Sequence, residues 1–98
     1  MSDREAVLVL VKDEQRRERV RDELARLNVN GYAVRAWDAT ISLFTMRPIA
    51  AVLDEAHAAV APDDFLEMTR RQGVELLTLA DGITDHAESA ALQKLVLG

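Results

Sequence analysis

The feature that most constrains this chain is an unbroken apolar run close to its start. Residues 6–11 read AVLVLV, without the polar alternation of a half-exposed strand, and their valines favour extended structure. A strand that is apolar on both faces has to be covered on both sides, as the central strands of parallel sheets are. Lys12, Asp13 and Glu14 follow directly, at the strand end where such sheets place their binding groups.

A second apolar strand ends in the same way. Residues 49–53 read IAAVL and are followed by Asp54. Because the carboxyl ends of parallel strands lie at one edge of a sheet, Asp54 is expected close to Lys12, Asp13 and Glu14. We therefore predict an acidic pocket at this edge.

The rest of the chain indicates alternating strands and helices. Strands are predicted at 6–11, 32–36, 49–53 and 74–79, helices at 14–28, 39–46, 63–72 and 85–96, and an Ala-rich loop at 55–61. A βαβαβαβα order with short connections predicts an α/β fold, with one doubly wound parallel sheet and helices on both of its faces. The 98 residues form a single domain, 1–98.

Composition argues against several classes of function. The net charge of −5 is unlike that of a nucleic-acid binder, which needs a basic footprint. The sequence contains no cysteine, which excludes disulfides and thiolate metal sites. No apolar run reaches the roughly 18 residues of a membrane span, and the N-terminus is polar, so we expect no membrane contact and a cytoplasmic location. The sequence has neither a Gly-rich phosphate loop nor catalytic-triad spacing, which argues against an enzyme.

Three further features each have two interpretations. The arginines of the first helix alternate with acidic residues, which favours a solvated face over a surface for an acidic partner. Trp37 is either an exposed anchor for a partner or a residue at the rim of the core, and we favour the rim. Glu55 and His57 beside Asp54 have metal-binding side chains, but His86 is the only other histidine, so we interpret this loop as facing water.

Four short motifs resemble the receiver domain of bacterial response regulators. They are three strand ends, at 11–14 (VKDE), 52–54 (VLD) and 77–80 (LTLA), and the entry to the second strand at 30–34 (NGYAV). Each motif is short, but their order and spacing over about residues 6–82 match the family. The resemblance implies a flavodoxin-like sheet in strand order 2-1-3-4, without the fifth strand and fifth helix that receivers usually have.

The resemblance also implies a role for each strand end. Asp54 matches the aspartate that accepts a phosphoryl group from a histidine kinase, and Thr78 matches, within one residue, the Ser or Thr that contacts the phosphoryl oxygens. Receivers hold Mg²⁺ with two adjacent acidic residues after the first strand, whereas this chain has Lys12 before Asp13. The lysine that ends the fifth strand of the family has no counterpart here.

These departures shape the expected chemistry of the site. Exchanging a carboxylate for an ammonium weakens a magnesium site, so Asp13 and Asp54 are only weak metal candidates, Mg²⁺ is not favoured, and no cofactor is expected. We expect the Lys12 ammonium to form an ion pair with Asp13 or Asp54 instead.

We therefore interpret the chain as a pseudo-receiver related to two-component systems. It would act as a signalling module through protein–protein contacts and without phosphorylation, as the N-terminal regulatory domain of a transcriptional regulator. Two alternatives stay open. One is a truncated receiver that is phosphorylated on Asp54, and the other is a small α/β ligand-binding domain or enzyme that uses the acidic pocket.

The missing fifth strand leaves an edge of the predicted sheet open to a partner. Leu76 lies in the strand at this edge, and the last helix carries Leu92 and Leu95 with less sheet than usual to cover them. We predict that these three leucines form the surface for a protein partner or a homodimer.

Overall fold

The computed structural model describes residues 5–34, 37 and 44–98, which form four strands and four α-helices. The strands are β1 Ala6–Leu10, β2 Asn30–Ala33, β3 Ala50–Asp54 and β4 Glu75–Leu79. The helices are α1 Glu14–Arg26, α2 Glu55–Ala59, α3 Asp63–Gln72 and α4 Asp85–Leu97, and a 3₁₀ turn at Phe44–Met46 precedes β3. Within these ranges, no helix has both the length and the apolar character needed to cross a membrane.

The sheet has the predicted architecture. Its strands are parallel and lie in the order β2-β1-β3-β4, which confirms the flavodoxin-like, doubly wound α/β fold. β1 lies between β2 and β3, and all five of its residues are buried. The apolar run at 6–11 is therefore covered on both faces, as its sequence requires.

Two apolar clusters cover the two faces of the sheet. Because successive side chains of a strand point to opposite faces, β1 and β3 contribute alternate residues to each cluster. The cluster under α1 and α4 includes Val7, Val9, Leu24, Val52 and Leu92. The cluster under α3 and the 3₁₀ turn includes Leu8, Leu10, Phe44, Leu53 and Phe65.

Local polar and glycine signals set the helix ends. Asp13 and Thr84 cap α1 and α4 by accepting the backbone N–H three residues ahead, at 2.8 Å and 3.1 Å. Gly73 ends α3 in the left-handed region at φ 66°, and Asn28 takes a similar conformation just after α1, at φ 64°.

Most predicted boundaries lie within two residues of the observed ones, and three segments need comment. The Ala-rich segment 55–61 was predicted as a loop and is mostly α2, because Asp54 caps it and alanine has the highest helix propensity. β2 begins at Asn30, two residues before its predicted start. The predicted helix at 39–46 lies outside the described residues except for Phe44–Met46, in which Phe44 is buried as expected.

A buried ion pair docks the last helix against the first. Arg16 Nε lies 3.0 Å from Glu88 Oε2, and the Arg16 guanidinium also donates to the Ala80 carbonyl at 2.8 Å. The two side chains are only 12% and 5% exposed. Arg19 Nε lies 3.5 Å from the other Glu88 carboxylate oxygen. The interpretation of the α1 arginines as a solvated face is therefore wrong for Arg16, which is largely buried against Glu88. Arg19 also contacts Glu88, but its side chain is 48% exposed, as that interpretation requires.

This docking corrects part of the predicted partner surface. Leu92 is 1% exposed and packs in the cluster of Val7 and Val9, and Leu95 is half-buried against the same cluster. Because α4 lies beside α1 over the sheet, Leu92 covers the core of its own chain and is not available to a partner. Leu76 is 43% exposed and stays accessible.

We expect Leu92→Ala to lower the free energy of unfolding by about 2–5 kcal/mol, because it leaves a cavity in a closely packed cluster. Leu97→Ala, at a residue of the same helix that is 72% exposed, should change it by less than about 0.5 kcal/mol. Urea unfolding followed by circular dichroism measures both. Equal losses for the two variants would show that α4 does not dock as described.

Candidate functional site

The carboxylate of Asp54 lies at the carboxyl end of β3 and is held by three nitrogen donors. The Lys12 backbone N–H donates to Oδ2 at 2.7 Å, which ties the end of β1 to the end of β3. The His57 backbone N–H donates to Oδ1 at 2.8 Å, so Asp54 also caps α2. His57 Nδ1 lies 2.8 Å from the same oxygen. The residue is only 6% exposed, so its carboxylate oxygens are occupied by hydrogen bonds to groups of the same chain.

Two opposing effects set the pKa of Asp54. Burial raises it, because desolvation disfavours the charged form. The amide hydrogen bonds from Lys12 and His57, together with the His57 ring, favour the charged form and outweigh burial. The pKa of Asp54 therefore lies below its usual value, and the group is a carboxylate at neutral pH.

The imidazole of His57 is fixed between this carboxylate and an aromatic cluster. A carboxylate only accepts hydrogen bonds, so the 2.8 Å contact places a proton on His57 Nδ1. The Trp37 ring meets the His57 ring edge-on at 5.7 Å, and it meets Phe65 in the same manner at 5.1 Å. Trp37 is thus a partly buried residue at the rim of the core, the interpretation favoured from the sequence.

A cleft of about 320 Å³ opens at this edge of the sheet. It is lined by Val11, Lys12, Glu14, Arg17, Val34 and His57. Its described lining therefore includes two cationic side chains and one carboxylate, so the prediction of an acidic pocket is wrong in composition. The position fits the carboxyl ends of β1, β2 and β3, where doubly wound sheets bind ligands.

The other residues predicted for the pocket lie elsewhere. Asp13 is exposed, and its carboxylate caps α1. Thr78 is an exposed residue of β4, paired with Leu53 and not with Asp54, and it does not line the cleft. Of the residues predicted for the pocket, Lys12 and Glu14 line the cleft, and Arg17, which was not predicted, lines it as well.

The expected ion pair of Lys12 is not formed. The Lys12 ammonium has no carboxylate of the described residues within 4.0 Å, and the side chain is exposed. Lys12 contacts Asp54 through its backbone N–H instead. Any residue at position 12 except proline could make this hydrogen bond, so the lysine side chain is free for another use.

The donor set does not fit the magnesium ion that the receiver resemblance implies. Mg²⁺ needs carboxylate oxygens that it can bind directly. Asp13 and Asp54 both accept helix-capping hydrogen bonds, and an ammonium-bearing residue replaces one acidic position. Residues 5–34, 37 and 44–98 include no group of three or more His, Asp or Glu side chains arranged to hold a metal ion.

A larger cleft of about 540 Å³ lies away from this site. Its lining residues are Arg47, Pro48, Ile49, Arg71, Gln72 and Gly73. They precede β3 and β4, at the amino-terminal edge of the sheet, where open α/β folds do not place their binding sites. No carboxylate or histidine among residues 5–34, 37 and 44–98 lines it, so we assign no chemistry to it.

Comparison with solved structures places the fold among natural receivers. The chain is similar to a response regulator receiver protein from Burkholderia phymatum, with a TM-score of 0.57 and 15% identity over 95% of each chain. It is also similar to a response regulator signal receiver domain from Bermanella marisrubri, with a TM-score of 0.57 and 16% identity over 96% of this chain and 99% of that chain. The resemblance to receivers is thereby confirmed as a likeness of fold.

The same architecture occurs without a natural function. A de novo designed Rossmann fold protein has a TM-score of 0.58 and 9% identity, over 98% of this chain and 100% of that chain. No protein-family model matches the sequence, and comparison with curated proteins finds no match. Function has therefore to be argued from the residues of the site.

We expect Asp54→Asn to cost about 1–3 kcal/mol of stability at pH 7, because the amide has no charge and keeps only one of the two acceptor oxygens that Lys12 and His57 use. The native pKa of Asp54 is lowered, so its contribution is complete above the unfolded-state pKa of about 3.9 and is lost as the pH falls through the native pKa. The difference in unfolding free energy between wild type and variant should therefore shrink progressively as the pH is lowered below about 5. Leu97→Ala, which removes no titrating group, is the baseline. A difference that stays constant over this range would refute the role of Asp54.

Proposed function

We propose that this chain is a receiver-like signalling module that acts through protein–protein contacts, in the cytoplasm, without phosphorylation of Asp54 and without a reaction of its own. The observation that carries the proposal is the occupied carboxylate of Asp54. Three nitrogens lie within 2.8 Å of its oxygens, and the residue is 6% exposed. An aspartate that accepts a phosphoryl group needs a free oxygen in line with the phosphorus atom.

The charges around Asp54 support the same proposal. Phosphoryl transfer needs cations that neutralise the charge on the transferred oxygens. The carboxylates that would hold such an ion are engaged as helix caps, and the exposed Lys12 ammonium is not directed to Asp54 by any contact. The site supports a fixed structural carboxylate better than a reactive one.

A fixed module of this kind would signal by the surface it presents. Its partner would be a protein, and a transcription-regulating segment is the partner class that the receiver resemblance suggests. The net charge of −5 does not favour direct contact of this domain with nucleic acid.

A second candidate function rests on the cleft at the carboxyl edge. Lys12 and Arg17 line it, and neither has a carboxylate within 4.0 Å among the described residues. This arrangement favours a small anionic ligand and corresponds to the alternative of a ligand-binding domain. Saturable shifts of the Val34 and His57 amides with acetyl phosphate, without covalent labelling, would favour this candidate.

We expect the chain to gain no phosphoryl group when it is incubated with acetyl phosphate and Mg²⁺, because Asp54 is occupied. Intact-mass spectrometry measures the outcome, with a natural response-regulator receiver treated in parallel as the positive control. Asp54→Asn reports labelling at other positions. A mass increase that disappears in Asp54→Asn would support the alternative of a phosphorylatable receiver and contradict the proposal.

We expect Lys12→Asp to raise the affinity for Mg²⁺ by about tenfold or more, because it exchanges an ammonium for a carboxylate beside Asp13. Labelling by acetyl phosphate should stay poor, since the variant restores no cation at the acceptor. Amide shifts during a Mg²⁺ titration measure the affinity. Lys94→Asp makes the same change of charge on α4, outside the cleft. Efficient phosphorylation of Lys12→Asp would show that a fifth-strand lysine is dispensable.

A further inference from the structure

The β4 strand is open along its outer edge and on one face. It is the last strand of the sheet formed by the described residues, so only β3 pairs with it. α4 covers the face of Leu77 and Leu79, whereas Leu76 and Thr78 on the opposite face are exposed. The strand contains no proline or lysine, and Glu75 is its only charged residue. Natural edge strands usually carry such protection against pairing with another chain.

The hydrogen-bond pattern identifies the backbone groups that face outward. The Glu75 N–H donates to the Ile49 carbonyl at 3.2 Å, so Glu75 points its backbone groups towards β3. Alternate residues of a parallel strand bond to the same neighbour, which directs Leu77 and Leu79 the same way. The N–H and C=O groups of Leu76 and Thr78 therefore point to the open edge.

The outward N–H and C=O groups of Leu76 and Thr78 can pair with the same groups of a second copy of the chain. When two β4 strands run antiparallel about a two-fold axis at Leu77, Leu76 of one copy lies opposite Thr78 of the other. Residues that lie opposite each other in this way exchange both backbone hydrogen bonds. The five residues of β4 are then all paired, with four new hydrogen bonds. A second copy matches this edge without any change in the strand.

The charges favour the antiparallel direction. Arg70 and Arg71 lie in the last turn of α3 before β4, and Asp81 and Asp85 follow β4. Arg71 pairs with Glu67, Asp81 with Arg16 and Asp85 with Arg19, each through an exposed carboxylate. Antiparallel pairing places the basic end of one copy beside the acidic end of the other, whereas parallel pairing would bring like charges together. The two Glu75 residues would stand about 13 Å apart, beyond the screening length of about 8 Å at physiological salt.

We propose that two copies of this chain associate through their β4 edges, antiparallel and centred on Leu77, into one continuous eight-stranded sheet. Leu76 of each copy packs on the exposed face beside Thr78 of the other, and a two-fold axis closes the assembly. The proposed association does not depend on whether Asp54 is phosphorylated. A labelling experiment can therefore contradict the proposed function without contradicting the dimer, and an association experiment can contradict the dimer alone.

Hydrogen exchange of the unmodified chain tests the pairing residue by residue. The measurement is made at concentrations where sedimentation equilibrium gives twice the 10.9 kDa chain mass. The amides of Leu76 and Thr78 should then be protected from exchange, like those of Leu77 and Leu79. On dilution, protection at Leu76 and Thr78 should fall first. A monomer at 100 μM, or fast exchange at Leu76 and Thr78 within a dimer, overturns the proposal.

The absence of cysteine from the sequence permits a test of register. Leu76→Cys and Thr78→Cys chains, mixed and mildly oxidised, should give the mixed disulfide several-fold in excess over either homodimer, because their Cα atoms would lie about 5.5 Å apart. Val60→Cys, at a residue 65% exposed on another surface, controls for random collision. A statistical mixture of products overturns the register.

A charge variant completes the test. Leu76→Lys should weaken dimerisation at least tenfold, because lysine on an edge strand opposes pairing. Val60→Lys makes the same change away from β4 and should leave dimerisation unchanged. Equal effects of the two variants, or none, contradict an interface at the β4 edge.

Discussion

The ion pair between Arg16 and Glu88 decides how the two ends of the chain are arranged. Taking both charges out of water costs several kcal/mol, and the cost is offset only when every polar atom finds a partner. Arg16 meets this condition through Glu88 and the Ala80 carbonyl. No buried side-chain nitrogen or oxygen of the described residues lacks a partner. The pair fixes α4 beside α1, so Leu92 completes one face of the core while the other face of β4 stays open.

A second carboxylate, that of Asp54, connects the segments at the carboxyl ends of β1 and β3. Asp54 ends β3, and the two oxygens of its side chain cap α2 and accept the backbone N–H of Lys12, two residues after β1. The same hydrogen bonds lower its pKa and leave little of it exposed. A residue that joins three segments in this way is costly to rearrange. This constraint supports the interpretation of Asp54 as a structural junction, beside which Lys12 and Arg17 line the cleft.

The sequence was sufficient for the parts of the structure that depend on local pattern. The unbroken apolar run of β1 and the order of elements predicted the sheet, and Asp54 was expected at a strand end. The failures have physical causes. Helix propensity in 55–59 was undervalued, although an Asp, which is a favoured N-cap residue, precedes a segment with three alanines. Arg16 and Glu88 are 72 residues apart and look like surface charges, so only the tertiary fold brings them together.

The position of α4 has a consequence for synthesis of the chain. Val7 and Val9 emerge from the ribosome early, but α4, which covers their face of the sheet together with α1, is made only after all four strands. Until residues 85–97 have left the exit tunnel, α1 alone covers this apolar face and Arg16 lacks Glu88 as its counter-charge. Domains are exposed to aggregation in such intermediate states. The nascent chain would therefore be exposed to aggregation until residues 85–97 are folded onto the sheet, whatever the mature domain binds.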